Sequence, residues 1–109
     1  MQTILCIEDA EEVQIVVRRT FANMYHVIPA KSLSEAYEKI KTRSIDLILL
    51  DLNLPDGDGF QFFNYLIENY AFNQIPVIIL TTKNLIQDKI MGFHLGAEDY
   101  IVKPLILLN

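Results

Sequence analysis

Glu8, Asp9, Asp51, Thr81 and Lys103 stand at the ends of short apolar runs, where a buried strand has no use for a polar side chain. Ile7 gives way to Glu8-Asp9, Leu50 to Asp51 and Leu80 to Thr81-Thr82, while Tyr100-Ile101-Val102 delivers Lys103 and Pro104. In an open α/β sheet the carboxyl ends of the strands border the ligand crevice, so residues this far apart in sequence can converge on one pocket. Three carboxylates at close range repel one another: either their pKa values rise or a cation sits among them. Mg²⁺ suits such an oxygen set, because it keeps several waters and needs only one or two carboxylates. Asp9 and Asp51 are the best direct ligands, the Asn53 main-chain carbonyl a third, and Glu8 acts through water. A carboxylate beside a divalent cation can also serve as a phosphoryl nucleophile, provided positive charge offsets that of the transferred group. Asp51 is central enough for that role, Lys103 is a flexible point charge suited to a phosphate oxygen, and Thr81 offers a hydroxyl able to follow a new phosphate.

The elements that must position these residues are legible as alternating patterns. Ile4 to Ile7, His26 to Ala30, Asp46 to Leu50, Val77 to Leu80 and Tyr100 to Val102 read as short strands. Between them Val13, Val16, Val17 and Phe21 recur at helical spacing, as do Leu33, Ala36, Tyr37 and Ile40, then Phe60, Phe63, Ile67 and Tyr70, then Ile86, Ile90 and Phe93. Ser32 and Glu35 have capping-box spacing at the start of the second helix, and Gly92 and Gly96 read as stop signals for the fourth. Strands alternating with helices predict an α/β fold with a doubly wound parallel sheet and helices on both faces.

The chain has 109 residues, 51% of them hydrophobic, enough for one small core and no separate substrate domain. Its net charge of −5 disfavours direct nucleic-acid binding, which needs a basic face. The single cysteine, Cys6, lies in an apolar run and has no partner for an internal disulfide, which points to a reducing, cytoplasmic setting. The first residues lack a basic start and meet Glu8 and Asp9, unlike a secretory signal. No apolar run approaches the ~20 residues of a membrane helix.

Together the acid pair Glu8-Asp9, the stretch Asp51-Leu52-Asn53-Leu54-Pro55 with Gly57 and Gly59, the Val77-Ile78-Ile79-Leu80-Thr81 strand and Gly96-Ala97-Glu98-Asp99-Tyr100-Ile101-Val102-Lys103-Pro104 resemble the receiver domain of two-component response regulators. The resemblance spans nearly the whole chain. It implies a flavodoxin-like five-stranded sheet of order 2-1-3-4-5, and Mg²⁺ at Glu8, Asp9 and Asp51. It also implies phosphorylation of Asp51 by a histidine kinase or histidine phosphotransfer protein, switching a surface toward an output domain or a homodimer partner. Thr81 becomes the switch hydroxyl, Lys103 the phosphate-binding lysine and Tyr100 the aromatic that turns inward. Such a domain is no enzyme toward external substrates; it catalyses only its own phosphotransfer and dephosphorylation. The departure is at the end, where the fifth helix of the family is largely missing after Pro104, so residues 1–109 read as a single receiver domain truncated at its C-terminus. Apolar side chains of the first and last strands are then expected to be partly exposed beside Leu105 to Leu108, with self-association or lowered stability as the consequence.

Plainer readings stand beside these. Asp9-Ala10-Glu11-Glu12 also reads as a helix N-cap with acids in its first turn. Asp56 and Asp58 read as turn formers. Thr81 rather than Thr82 faces the pocket, Tyr100 can be an ordinary core aromatic, and Asn53 and Lys83 are placed to tune water access. His26 and His94 lack a ligand pattern, and Phe60, Phe62 and Phe63 read as core. Rival functions are weaker. A phosphohydrolase of the haloacid dehalogenase type needs an acid two positions after its nucleophile, where this chain has Asn53. A flavin-binding module would have its phosphate repelled by Glu8-Asp9. A purely structural domain would bind no Mg²⁺.

Overall fold

The computed structural model describes residues 1–81 and 86–103, the side chains of Thr81, of residues 86–89, of Tyr100 and of Val102 excepted. Strands β1 (Gln2–Ile7), β2 (Tyr25–Ala30), β3 (Leu47–Leu50), β4 (Val77–Thr81) and β5 (Asp99–Val102) form one parallel sheet in the order β2-β1-β3-β4-β5. This is the order 2-1-3-4-5 that the resemblance implied. Pro29 fits because β2 is an edge strand, where a missing N–H can go unpaired.

Four helices alternate with the strands: α1 (Glu11–Phe21), α2 (Leu33–Thr42), α3 (Gly59–Ile67) and α4 (Ile86–His94). Alternating strand residues divide the core in two. Leu5, Ile7, Ile48, Leu50, Val77 and Ile79 pack with Leu33, Ala36, Ile40, Phe62 and Leu66, so α2 and α3 cover that face. Ile4, Cys6, Leu49 and Leu80 pack with Val17 of α1 on the other. The α1 side is thinly covered. Val16, Phe21, Leu47 and Ile78 are only half-buried and Ile101 is exposed, and together they border an apolar cleft of about 280 Å³. The exposure expected for the last strand is met at Ile101, but that expected for the first is not, because Ile4 and Cys6 are fully buried under Val17 and the half-buried strand residues lie on β3 and β4 instead. Pro104 and Leu105 to Leu108 lie outside the described residues, as do Thr82 and Lys83.

Several local expectations change. Ser32 caps α2 as expected, its side chain accepting from Glu35 N at 3.1 Å. The N-cap of α1 is Ala10, without a side-chain cap, so Asp9 does not cap that helix. In α3 the buried face is Gly59, Phe62, Phe63 and Leu66, not the Phe60, Phe63, Ile67, Tyr70 stripe. The helix ends at Ile67, and Tyr70 is 95% exposed. On α4, Ile90 and Phe93 are exposed instead of forming a buried stripe, and Gly92 is buried within the helix. The stop is Gly96 alone, with φ of +102° that favours glycine. Asn53–Leu54 and Gly57–Asp58 form a two-rung antiparallel hairpin between β3 and α3, which the sequence did not announce.

Candidate functional site

Sheet register brings the acids together. Ile7 lies opposite Leu50, so the residues that follow, Glu8 and Asp51, leave the sheet side by side. The ladder continues one step beyond, with Asp51 N donating to Ile7 O at 2.9 Å and Glu8 N donating to Ala30 O at 2.8 Å. Val102 lies opposite Thr81, which delivers Lys103 from the neighbouring strand end. One donor atom from each of Glu8, Asp9 and Asp51 lies within 4.8 Å of the others, with Glu8 and Asp51 buried and Asp9 exposed at the mouth.

Lys103 supplies the positive charge. Its Nζ lies against Glu8 Oε1 and 3.3 Å from Asp51 Oδ2, and its side chain is only 11% exposed. The remaining carboxylate oxygens take backbone donors: Glu8 Oε2 accepts from Ala10 N at 2.9 Å and Asp51 Oδ1 from Asn53 N at 3.2 Å. Burial pushes Glu8 above the usual carboxylate range and the Asp51 charge adds to this, while Lys103 and the Ala10 N–H pull the other way. Burial acts to lower Lys103, but the two carboxylates outweigh it and hold the ammonium above the ordinary lysine value. Beneath them, burial pushes the Cys6 thiol up to about 12, with Glu8 contributing, so Cys6 is an inert core residue.

One ammonium facing three carboxylates leaves the pocket short of positive charge, and all the carboxyl donors are hard oxygens. That donor set fits a divalent cation such as Mg²⁺ and suits neither a soft metal nor an anion. Of the expected site residues, the structure brings together Glu8, Asp9, Asp51 and Lys103, with the Asn53 backbone at the rim. The Thr81 and Tyr100 backbones lie in β4 and β5, but their side chains are outside the described residues. His26 and His94 are exposed on the surface, while Phe62 and Phe63 are core.

Four residues support the site in ways the sequence did not show. Gln14 is buried, and its Nε2 donates to Cys6 O at 3.0 Å and Glu8 O at 2.9 Å, fixing the carbonyl end of β1. A polar residue three positions before Val17 was the available signal. Gly59 packs onto the nucleophile candidate's own backbone: a Cβ there would lie 2.3 Å from Asp51 O. Asp56 lies in the hairpin turn as expected, and its Oδ1 and Oδ2 also accept from Leu33 N and Ser34 N at 2.8 and 3.0 Å. Asp58 caps α3, accepting from Phe60 N at 2.9 Å.

An open parallel sheet of this strand order, with an acidic pocket at its carboxyl edge, defines a flavodoxin-like signalling or ligand-binding class. Comparison narrows it: the model of the response regulator receiver domain matches residues 4–107, and the chain belongs to that family. It is 38% identical over 105 residues to the response regulator GtcR of Aneurinibacillus migulanus, covering 94% of this chain and 42% of that protein. The receiver domain of HemR from Leptospira biflexa in its non-phosphorylated form is 34% identical with a TM-score of 0.89, over 98% of this chain and 86% of that one. The Mn²⁺-bound form of response regulator Rcp1 is 26% identical with a TM-score of 0.88, over 98% and 84%. The chain spans less than half the length of the curated relatives it matches. Among the described residues no helix is long and apolar enough to cross a membrane.

Proposed function

We propose that Asp51 is the phosphoacceptor of this receiver domain, in a reaction that depends on Mg²⁺. The observation that carries the reading is the convergence of Glu8, Asp9 and Asp51 on one pocket closed by the Lys103 ammonium. Glu8, Asp9, Asp51 and the Asn53 main-chain carbonyl would hold the ion, which when bound offsets charge on the transferred phosphoryl group. The Mn²⁺-bound relative supports a divalent site in this fold.

The chain's own residues do the rest. A carboxylate oxygen of Asp51 attacks phosphorus as the phosphorus–nitrogen bond of a phosphohistidine breaks, so the imidazole leaves and an acyl phosphate forms on Asp51. Lys103, already 3.3 Å from Asp51 Oδ2, holds an oxygen of the incoming group. Thr81 and Tyr100 are assigned the switch, the threonine hydroxyl following the phosphate and the tyrosine turning inward. The partners are a histidine kinase or histidine phosphotransfer protein, and an output domain or second copy that reads the switched surface. The setting is cytoplasmic, and the chemistry is limited to the domain's own phosphotransfer and dephosphorylation.

Incubation with Mg²⁺ and acetyl phosphate should leave one acid-stable, base-labile phosphate on Asp51, located by mass spectrometry. Full incorporation by Asp51→Asn would sink the assignment.

A further inference from the structure

We propose that Asp56 is a positioning residue for the acidic site, a latch that ties the loop after Asp51 to the first turn of α2 and so holds the Asn53 peptide at the pocket rim. This rests on the reading above, in which the Asn53 carbonyl is a metal ligand.

Half-buried Leu54 packs one side of the loop against the core, while the turn itself stands out in solvent. Asn53 and Leu54 pair only with Asp58 and Gly57, a ladder of two rungs, and residues 55–58 are exposed. The first turn of α2, by contrast, is fixed: Leu33, Ala36 and Ile40 are buried in the core. That turn also has donors to offer, since the first N–H groups of a helix lack intrahelical partners. Ser32 Oγ takes the N–H of Glu35, and Asp56, 22 to 23 residues away, takes those of Leu33 and Ser34, one with each carboxylate oxygen. Two parallel bonds to one carboxylate fix orientation as well as distance. The negative charge sits at the positive end of the helix, and the two N–H bonds hold the Asp56 carboxyl below the usual range.

A second contact makes the fit close. Gly57 has φ of +153°, and a Cβ there would lie 2.7 Å from Leu33 Cδ1, so loop and helix touch through backbone and side chain alike. At the other end of the hairpin, Asn53 N donates to Asp51 Oδ1 at 3.2 Å. Any slide of the hairpin along α2 therefore moves Asn53, whose N–H contacts the phosphoacceptor candidate and whose carbonyl is the ligand proposed above. Asp56 stands in the hairpin turn itself, and both of its carboxylate oxygens are engaged on α2.

The test compares wild type with Asp56→Ala, Asp56→Asn and Ser32→Ala, measuring Mg²⁺ affinity by calorimetry and stability by thermal melting. Ser32→Ala removes an α2 cap without touching the latch and controls for helix stability. Loss of outer partners of metal ligands weakens binding by about 10-fold or more. Asp56→Ala should show that loss, Ser32→Ala should lower the melting temperature and leave the affinity unchanged, and Asp56→Asn, keeping one acceptor for Leu33 N, should fall between. If Asp56→Ala does not fold, the Asn variant carries the comparison. Wild-type affinity in Asp56→Ala and Asp56→Asn, or an equal loss in Ser32→Ala, overturns the latch alone. A wild-type chain that binds no Mg²⁺ overturns the metal reading and the latch with it.

Discussion

Replacing Lys103 by methionine removes the positive charge from the pocket and keeps most of the side-chain volume. Its Nζ lies 3.3 Å from Asp51 Oδ2 and against Glu8 Oε1, with both carboxylates buried. At an effective dielectric constant of ~20, a charge pair at that separation is worth roughly 5 kcal/mol before desolvation is counted. Breaking a buried pair by deleting one partner costs about 3–5 kcal/mol, because the other charge stays buried and uncompensated. Against a total stability of ~5–15 kcal/mol for a small domain, the variant stays folded but with a large fraction of its stability gone.

The pH dependence separates this account from a simple loss of packing. Glu8 in the folded chain already has its pKa raised by burial, and without Lys103 it rises further. A raised carboxylate pKa means that folding favours the protonated form. Stability is then greatest below the unfolded value, ~4.3 for Glu, and is lost as pH rises through the folded one. Lys103→Met should therefore recover much of the deficit between pH 7 and pH 5, measured by urea denaturation. Glu8→Gln should partly rescue the variant at pH 7, since it removes one of the two buried carboxylates that lose their counterion and leaves Asp51 as the other. A packing defect would be insensitive to both. A variant as stable as wild type at pH 7, or one whose deficit is flat from pH 7 to pH 5, would refute the assignment of Lys103 as the counterion of Glu8 and Asp51.

Mg²⁺ at several millimolar should raise the wild-type melting temperature by mass action, and Asp9→Ala should blunt the rise; no shift in wild type counts against the metal site. Asp51→Asn should abolish phosphate incorporation yet leave the fold intact, with the apo chain stabilised by an amount on the order of 1 kcal/mol as one buried negative charge is removed. Gly59→Ala places a Cβ 2.3 Å from Asp51 O. Overpacking of that kind costs about 1–3 kcal/mol. Because the clash is with the nucleophile's own backbone, acetyl phosphate should also label the variant more slowly than wild type.

The parallel sheet was legible because its central strands β1, β3 and β4 appear as unbroken apolar runs, and a polar residue at the end of such a run stands out. Glu8, Asp51 and Lys103 needed no further signal. Helix faces were harder where apolar residues crowd the whole helix. Phe60, Phe62, Phe63, Leu66 and Ile67 allow more than one stripe at helical spacing. The choice among them is made by Gly59, whose close approach to the Asp51 backbone commits positions 59, 62, 63 and 66 to the core. Asp56 does sit in a turn, but the second role of its carboxylate was hidden, because its partners are 22 to 23 residues upstream and nothing in a turn-forming aspartate announces a long-range cap. Gln14 was hidden by its neighbours, since Val13, Val16 and Val17 satisfy the helical pattern without it.

The charge arrangement links the acid cluster to its proposed use. In the present state Lys103 divides its ammonium between Glu8 and Asp51, and neither carboxylate is fully compensated. A phosphoryl group on Asp51 replaces one negative charge with about two and adds three acceptor oxygens, so under the proposed function the more favourable partner for Lys103 becomes the phosphate. Lys103 follows directly on Val102, which lies opposite Thr81 at the ends of β5 and β4. A shift of the lysine toward Asp51 thus acts on the two strand ends that carry Thr81 and Val102. Glu8, losing part of the cationic partner it has among the described residues, would be left as a buried carboxylate with greater need of a divalent cation. Under the proposed function the two occupancies would be coupled with one sign: phosphate on Asp51 would strengthen the demand for metal at Glu8 and Asp9, and removing either would weaken the hold on the other.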